Sequence, residues 1–342
     1  VTDADMDPTP DVETFELGDV PLRSGQILRN ARLAYATRGR LSPARDNVVL
    51  FPTYYTGTHR ENARMVGTGR ALDPERCFVV MPNMFGNGIS SSPSNHEPQP
   101  GADFPRVTML DNVLCQQRLL EERWAIERVR LAFGWSMGAQ QAYHFAAVFP
   151  DRVESLLAVC GSARTSPHNW VFLEGVKAAL LADPEFRDGR YLRPPVRGLS
   201  AFGRVYAGWA YSQAFFRAGL QRELGHATAG DLLDAWALDH AAWDANDLLA
   251  MLWTWQHADI SDNDLYRGDF ARALAAIEAR AIVMPASTDL YFPKEDSALE
   301  VAGMRRAELR VLPTDWGHVG GGPDRNRRDT AFIETALREL LS

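Results

Sequence analysis

Val129-Arg130-Leu131-Ala132-Phe133-Gly134-Trp135-Ser136-Met137-Gly138 runs from an apolar strand into a serine framed by glycines. Beyond it, Ala142, Phe145, Ala146 and Phe149 recur at i, i+3, i+4 and i+7, one face of a helix that stops at Pro150. A serine on so sharp a strand-to-helix turn has its hydroxyl pushed into the open. The glycines at 134 and 138 are needed because a side chain at either would collide with the neighbouring strand and helix. Ser136 is therefore the expected nucleophile.

Working outward, apolar strands alternate with helical stretches, the pattern of a mostly parallel sheet with helices on both faces. The strands are expected at Val48 to Phe51, Phe78 to Met81, Val129 to Phe133, Ser155 to Cys160, Ala281 to Met284 and Leu309 to Leu312. Phe15 to Leu17 and Ala31 to Ala36, on either side of Ser24-Gly25, read as an antiparallel hairpin, and a last helix is expected from Ala331 to Leu341. Between about Thr165 and Phe270 the alternation breaks into helix-like sequence holding six of the nine tryptophans. The expected organisation is an α/β core formed by 1–164 and 271–342, with a helical lid at 165–270 covering Ser136 and pairing subunits.

The net charge of -8 argues against nucleic acid and anionic membrane surfaces as partners. No apolar run reaches membrane-spanning length, and the acidic start Val1-Thr2-Asp3-Ala4-Asp5, which lacks Met, is unlike a signal peptide and suggests a processed or engineered N-terminus. Cys77, Cys115 and Cys160 are too few for a disulfide framework, so a cytoplasmic protein is expected. Gly86-Asn87-Gly88 follows a strand but no third glycine opens a helix after it, so it reads as a loop near the catalytic mouth. No cofactor or metal is expected.

A serine hydroxyl needs a base, and the base needs an oriented acid. His318 follows the last strand in Trp316-Gly317-His318-Val319-Gly320-Gly321-Gly322, where glycines free the loop to turn the imidazole. The other histidines fall in the helix after the serine, in the insertion or ahead of the acid strand. Asp289 directly follows the strand ending near Ala286 and is the expected acid, with Asp315 as its rival. Backbone N–H groups must receive the developing oxyanion. Met137 should supply one and Tyr55 the other, with Tyr54 close behind.

Taken together the motifs resemble the homoserine O-acetyltransferase family of α/β-hydrolase fold enzymes. Leu22-Arg23-Ser24-Gly25 with Leu33 to Gly39 is similar to that family's opening hairpin, and Val107 to Val113 to its helix start. Gly134 to Gln140 is similar to its nucleophile elbow, Asp289 to Pro293 to its acid loop and Gly317-His318 to its histidine. The resemblance implies an α/β-hydrolase fold, the order Ser, acid, His, and a lid-mediated homodimer. It also implies that Arg204 corresponds to a lid arginine meeting the substrate carboxylate. Two positions depart from the pattern: Val319 stands where the family has an aspartate expected to bind the substrate ammonium, and Trp135 where it has a small residue. Trp135, Tyr54, Arg204 and Val319 are thus the expected substrate-binding positions. The leading expectation is hydrolysis of a small acyl ester through an acyl-enzyme. The alternative is acyl transfer from a CoA thioester to an alcohol.

Overall fold

A computed structural model describes residues 11–342; the acidic opening segment lies outside the described residues. An eight-stranded sheet is built from β1 (Glu13–Pro21), β2 (Ile27–Arg38), β3 (Val48–Leu50), β4 (Phe78–Pro82), β5 (Val129–Trp135), β6 (Val153–Val159), β7 (Arg280–Met284) and β8 (Ala307–Leu309). The spatial order is β1-β2-β4-β3-β5-β6-β7-β8. β1 pairs antiparallel with β2 and β2 with β4; every other pairing is parallel. β5 is central and buried almost throughout, as a strand covered on both faces must be.

Helices α1 (His59–Ala63), α2 (Met109–Trp124), α3 (Met137–Val148), α4 (Pro167–Leu181), α5 (Val196–Ala210), α6 (Gln213–Ala218), α7 (Ala229–Ala241), α8 (Ala245–Gln256), α9 (Phe270–Ala276), α10 (Lys294–Gly303) and α11 (Arg327–Leu341) complete the chain. α2 starts at a reciprocal cap in which Thr108 and Asp111 satisfy each other's backbone N–H groups. Two apolar clusters form the core. One lies between the sheet and α2 and α3; the other runs from the opposite sheet face into the insertion, through Leu131, Phe133, Phe172, Leu252 and Trp255. Each such side chain removed from water contributes about 1.5–3 kcal/mol.

α4 to α8 form the insertion. Its two ends are joined by backbone pairing, Thr165 N–H to Ala258 O and Ile260 N–H to Ala163 O, both within 3.1 Å. The chain thus returns to the core near residue 260, ahead of the expected 270. Tyr266 already packs in the core, its hydroxyl donating to Ala147 O.

Two boundaries differ from expectation. The last strand ends at Leu309; Arg310 and Leu312 still donate to Val283 and Pro285, but the backbone has left regular strand geometry. The last helix begins at Arg327 because the Asn326 side chain accepts from Asp329 N–H, a cap that hydrophobic periodicity does not report. Among the described residues, no helix is long and apolar enough to cross a membrane.

Candidate active site

Ser136 sits between β5 and α3 with φ 56° and ψ −128°. Such a conformation costs about 1–3 kcal/mol for a residue with a side chain and persists only where packing imposes it. Packing does so here. A Cβ on Gly134 would lie 2.1 Å from the Gly138 carbonyl carbon, and one on Gly138 would lie 2.6 Å from Pro52 O. Strand, helix and the loop after β3 therefore close on the turn, and the serine must point away from all three.

His318 comes from the loop before α11. Its Nε2 lies 2.9 Å from Ser136 Oγ and its Nδ1 2.8 Å from Asp289 Oδ2. A carboxylate can only accept, so Nδ1 carries the hydrogen and Nε2 offers its lone pair to the serine O–H. Asp289 is held in turn: its Oδ1 accepts from the N–H groups of Tyr291 (2.8 Å) and Phe292 (3.2 Å). The imidazole is stacked on Trp135 at 4.9 Å and edged by Tyr291 at 4.7 Å, while Trp135 Nε1 donates to His318 O at 3.2 Å. All three residues are buried. Asp315 is exposed, and the bond it makes is through its carbonyl, to the Ser212 hydroxyl. The acid beside the imidazole is Asp289.

Gly317 shows how the insertion and this loop fit together. Its φ is +66°, and a Cβ there would sit 2.7 Å from Ser212 N and 2.9 Å from Ala210 O at the α5–α6 junction. Only glycine lets the histidine loop lie against that junction.

Charge developing on a carbonyl oxygen next to Ser136 needs donors. Among the described residues, the N–H groups of Met137, Tyr54 and Tyr55 have no intramolecular acceptor, although all three residues are buried. Thr53 N–H is already given to Pro82 O, so Tyr54 and Tyr55 carry the first free donors after β3. The Tyr55 hydroxyl donates to Leu248 O at 3.1 Å, fixing this loop to α8 of the insertion.

A cavity of about 440 Å³ opens over Ser136 and His318. Its core side carries Tyr54, Tyr55, Trp135, Tyr291 and Val319; its other wall comes from α5, α7 and the segment joining α6 to α7. Of the expected substrate-binding positions, Trp135, Tyr54 and Val319 line this cavity. Arg204 does not: it lies on the exposed face of α5 and pairs with Asp234, away from the cavity lining. On α5 the inward positions are Phe202, Tyr206 and Ala210, so Arg204 faces outward. Sequence reading missed Tyr206, Trp236 and His240. The spacing of Leu232, Ala235, Trp236, Asp239 and His240 on one helical face was the available signal. Burial pushes the Tyr54 phenol up to about 12, so it stays protonated and able to donate.

Cys160, Asp289 and His318 form the one cluster of metal-ligand type among the described residues. Both His318 nitrogens are engaged, one by Ser136 and one by Asp289, so the cluster is the serine relay with a buried thiol beside it.

A buried Ser-His-Asp relay at strand ends of a mostly parallel sheet defines an α/β-hydrolase, and residues 47–320 match the alpha/beta hydrolase fold family. The chain belongs to that family, in a branch that holds both esterases and homoserine O-acetyltransferases. It is 36% identical to the ethyl acetate hydrolase of Pseudomonas veronii, over 96% of this chain and 95% of that one. The crystal structure of an acetylester hydrolase from Corynebacterium glutamicum superposes with a TM-score of 0.93 at 34% identity, covering 97% and 96% of the two chains. The homoserine O-acetyltransferase of Symbiobacterium thermophilum is 32% identical over 94% of this chain and 91% of its own.

Proposed function

We propose that this protein is a serine esterase that hydrolyses short-chain carboxylic esters through an acyl-enzyme on Ser136. The observation that carries the reading is the continuous relay from Ser136 Oγ through His318 to Asp289, at 2.9 and 2.8 Å. Ser136 Oγ attacks the ester carbonyl while His318 Nε2 takes its proton, and Asp289 stabilises the imidazolium. The oxyanion is received by Met137 N–H and a donor of the Tyr54–Tyr55 loop. His318 returns the proton to the departing alcohol. Water, activated by the same imidazole, then releases the acid and restores the serine. No cofactor enters these steps. The short acyl group is supported by relatives named for ethyl acetate and acetyl esters.

Acyl transfer to an alcohol is the second reading, favoured by the homoserine O-acetyltransferase relatives. Against homoserine as acceptor, Val319 stands in the cavity where the resemblance implies a carboxylate, and Arg204 lies outside it; the charged residues that line the cavity are Asp239 and Arg325. An unpaired buried charge costs several kcal/mol. The discriminating experiment gives the enzyme ethyl acetate in one reaction and acetyl-CoA with homoserine in another, and resolves the products by mass. Fast acetate release with slow O-acetylhomoserine formation supports hydrolysis; the reverse removes it.

A homodimer through the insertion is part of the same proposal. Trp170 and Val171 on α4 and Val205 on α5 are large apolar side chains left exposed on adjacent helices. A monomer in light scattering at micromolar concentration would remove it. Three free, buried cysteines accord with a reducing, cytoplasmic setting.

A further inference from the structure

Trp135 touches His318 twice, at the ring and at the backbone. It is the last residue of β5, paired with Val159 of β6 and followed directly by Ser136. Its indole lies nearly face to face with the imidazole, centroids 4.9 Å apart and planes 27° apart. Its Nε1 donates to the carbonyl of the same histidine at 3.2 Å. The loop beyond runs close along the indole. A Cβ on Gly321 would lie 3.1 Å from Trp135 Cδ1, and one on Gly322 would lie 3.2 Å from Cη2 at the other end of the ring system. Tyr54 meets the indole edge-on at 4.4 Å. The indole is thus fixed from several sides, and it in turn braces both the side chain and the backbone of the base.

The contact has an electrostatic consequence. Each turnover makes the imidazole cationic twice, first when Nε2 takes the Ser136 proton and again when it takes a proton from the attacking water. The face of an aromatic ring carries the negative side of its quadrupole and attracts a cation lying over it, Trp more strongly than Tyr or Phe. The attraction grows where water is excluded, and here Trp135 is 6% exposed and His318 3%. Both imidazole nitrogens are already engaged, by Ser136 and Asp289, so the flat of the ring is what remains for a further stabilising contact. Two other rings approach it: Tyr291 edge-on at 71°, and Phe292 tilted at 38° with centroids 5.6 Å apart. Among the described residues, Trp135 is the one stacked on the imidazole.

We propose that Trp135 is a positioning residue of the base that also stabilises its charged form, the indole face holding the His318 imidazole toward Ser136 and favouring the imidazolium as the proton arrives. The inference rests on the ester-hydrolase reading above and concerns the base which that reading requires. Trp135 also lines the cavity, so contact with substrate has to be separated from action through His318.

The test replaces Trp135 site-specifically with mono-, di- and trifluorotryptophan and follows ethyl acetate hydrolysis against pH. These side chains keep the indole shape and its N–H donor while withdrawing negative charge from the face. kcat should fall stepwise, by roughly tenfold at three fluorines, with KM within about twofold. A less stabilised imidazolium gives up its proton at lower pH. The acid limb of kcat/KM should therefore move down with fluorination, by up to about one unit for a tenfold loss. Burial holds the nearby Cys160 thiol and Tyr291 phenol well above their ordinary values, so neither titrates at that limb. His226, Asp239, His240 and Arg325 also line the cavity, and with Asp289 they are the same in every member of the series. Trp135→Leu, which has no aromatic face, should lower kcat by about tenfold or more, and Trp135→Phe should recover most of it. A flat kcat or an unmoved limb across the fluorinated series overturns the proposal, as does a change confined to KM, which would make Trp135 a substrate contact alone. Should Trp135→Leu fail to fold, the fluorinated series decides. A wild-type enzyme inactive on ethyl acetate removes the hydrolase reading and this inference with it, whereas an active wild type with a flat series removes the inference alone.

Discussion

The sheet core and the helical insertion meet at the same cavity but contribute to it in different ways. The core supplies Ser136 from the end of β5, Asp289 from the loop after β7 and His318 from the short helical turn at Gly317–Gly321, joined by the hydrogen bonds of the relay. The insertion supplies Tyr206, Trp236 and His240 from the faces of α5 and α7, held by ring contacts and close helix packing. Reaction chemistry is thus set by a hydrogen-bonded relay and substrate fit by side-chain packing. The two regions share one apolar cluster and are tied by hydrogen bonds at several points, among them the Tyr55 hydroxyl on Leu248 O, the Ser94 N–H and hydroxyl on the Asp247 carboxylate, the Thr254 hydroxyl on Val107 O and the Asn169 amide on Tyr291 O.

The largest effect that would sharpen this division is loss of the acid. Asp289→Asn should lower kcat by about 10⁴-fold, because the imidazole loses the partner that fixes its tautomer. Asp315→Asn should stay within about twofold, because surface changes away from such features have little effect. Steady-state kinetics on ethyl acetate with both variants decides the point, and the opposite order would break the assignment.

Next in size is the tie between the regions. Tyr55→Phe keeps the ring and removes only the bond to α8. If the insertion steadies the oxyanion donors, kcat should fall roughly tenfold with KM little changed. A change confined to KM would mean that the insertion shapes binding alone.

A smaller effect concerns the neck of the insertion, where the Glu300 carboxylate accepts from Ala163 N–H. Glu300 is almost fully buried, and desolvation raises its carboxyl to about 8. The folded state therefore keeps it neutral where the unfolded chain, near 4.3, has lost the proton. The stability it allows is fully present below about pH 4.3 and is lost as pH rises toward 8, at up to about 1.4 kcal/mol per unit. Glu300→Gln should flatten the fall in Tm between pH 5 and 8 and raise Tm at pH 8. A variant with the same pH slope as wild type would contradict this.

The smallest expected effect is at Arg204. Its ion pair with Asp234 is on the surface, where such pairs contribute 0–1 kcal/mol. Arg204→Ala should leave kcat/KM for ethyl acetate within about twofold, measured in the same assay.

The same division explains what the sequence made legible. Ser136, Asp289 and His318 could be read because each follows an apolar run that ends where a parallel strand must end, and chain order did the rest. The choice between Asp289 and Asp315 leaned on strand position, and the bond from Asp289 to the imidazole resolves it. The insertion gave no such anchor. Arg204 and Tyr206 are two residues apart on one helix, and only the packing of α5 on α7 decides which faces the cavity. The early return near residue 260 was hidden for a similar reason: Tyr266 belongs to the core through a hydrogen bond to Ala147, a contact far off in sequence.

The central claim is that Ser136 carries the acyl group. Its most direct test is intact-protein and peptide mass spectrometry after treatment with a fluorophosphonate. One adduct per chain is expected, located on Ser136, with esterase activity falling in proportion to labelling and both absent in Ser136→Ala. Labelling at another residue, or ester hydrolysis that survives in Ser136→Ala, would contradict it.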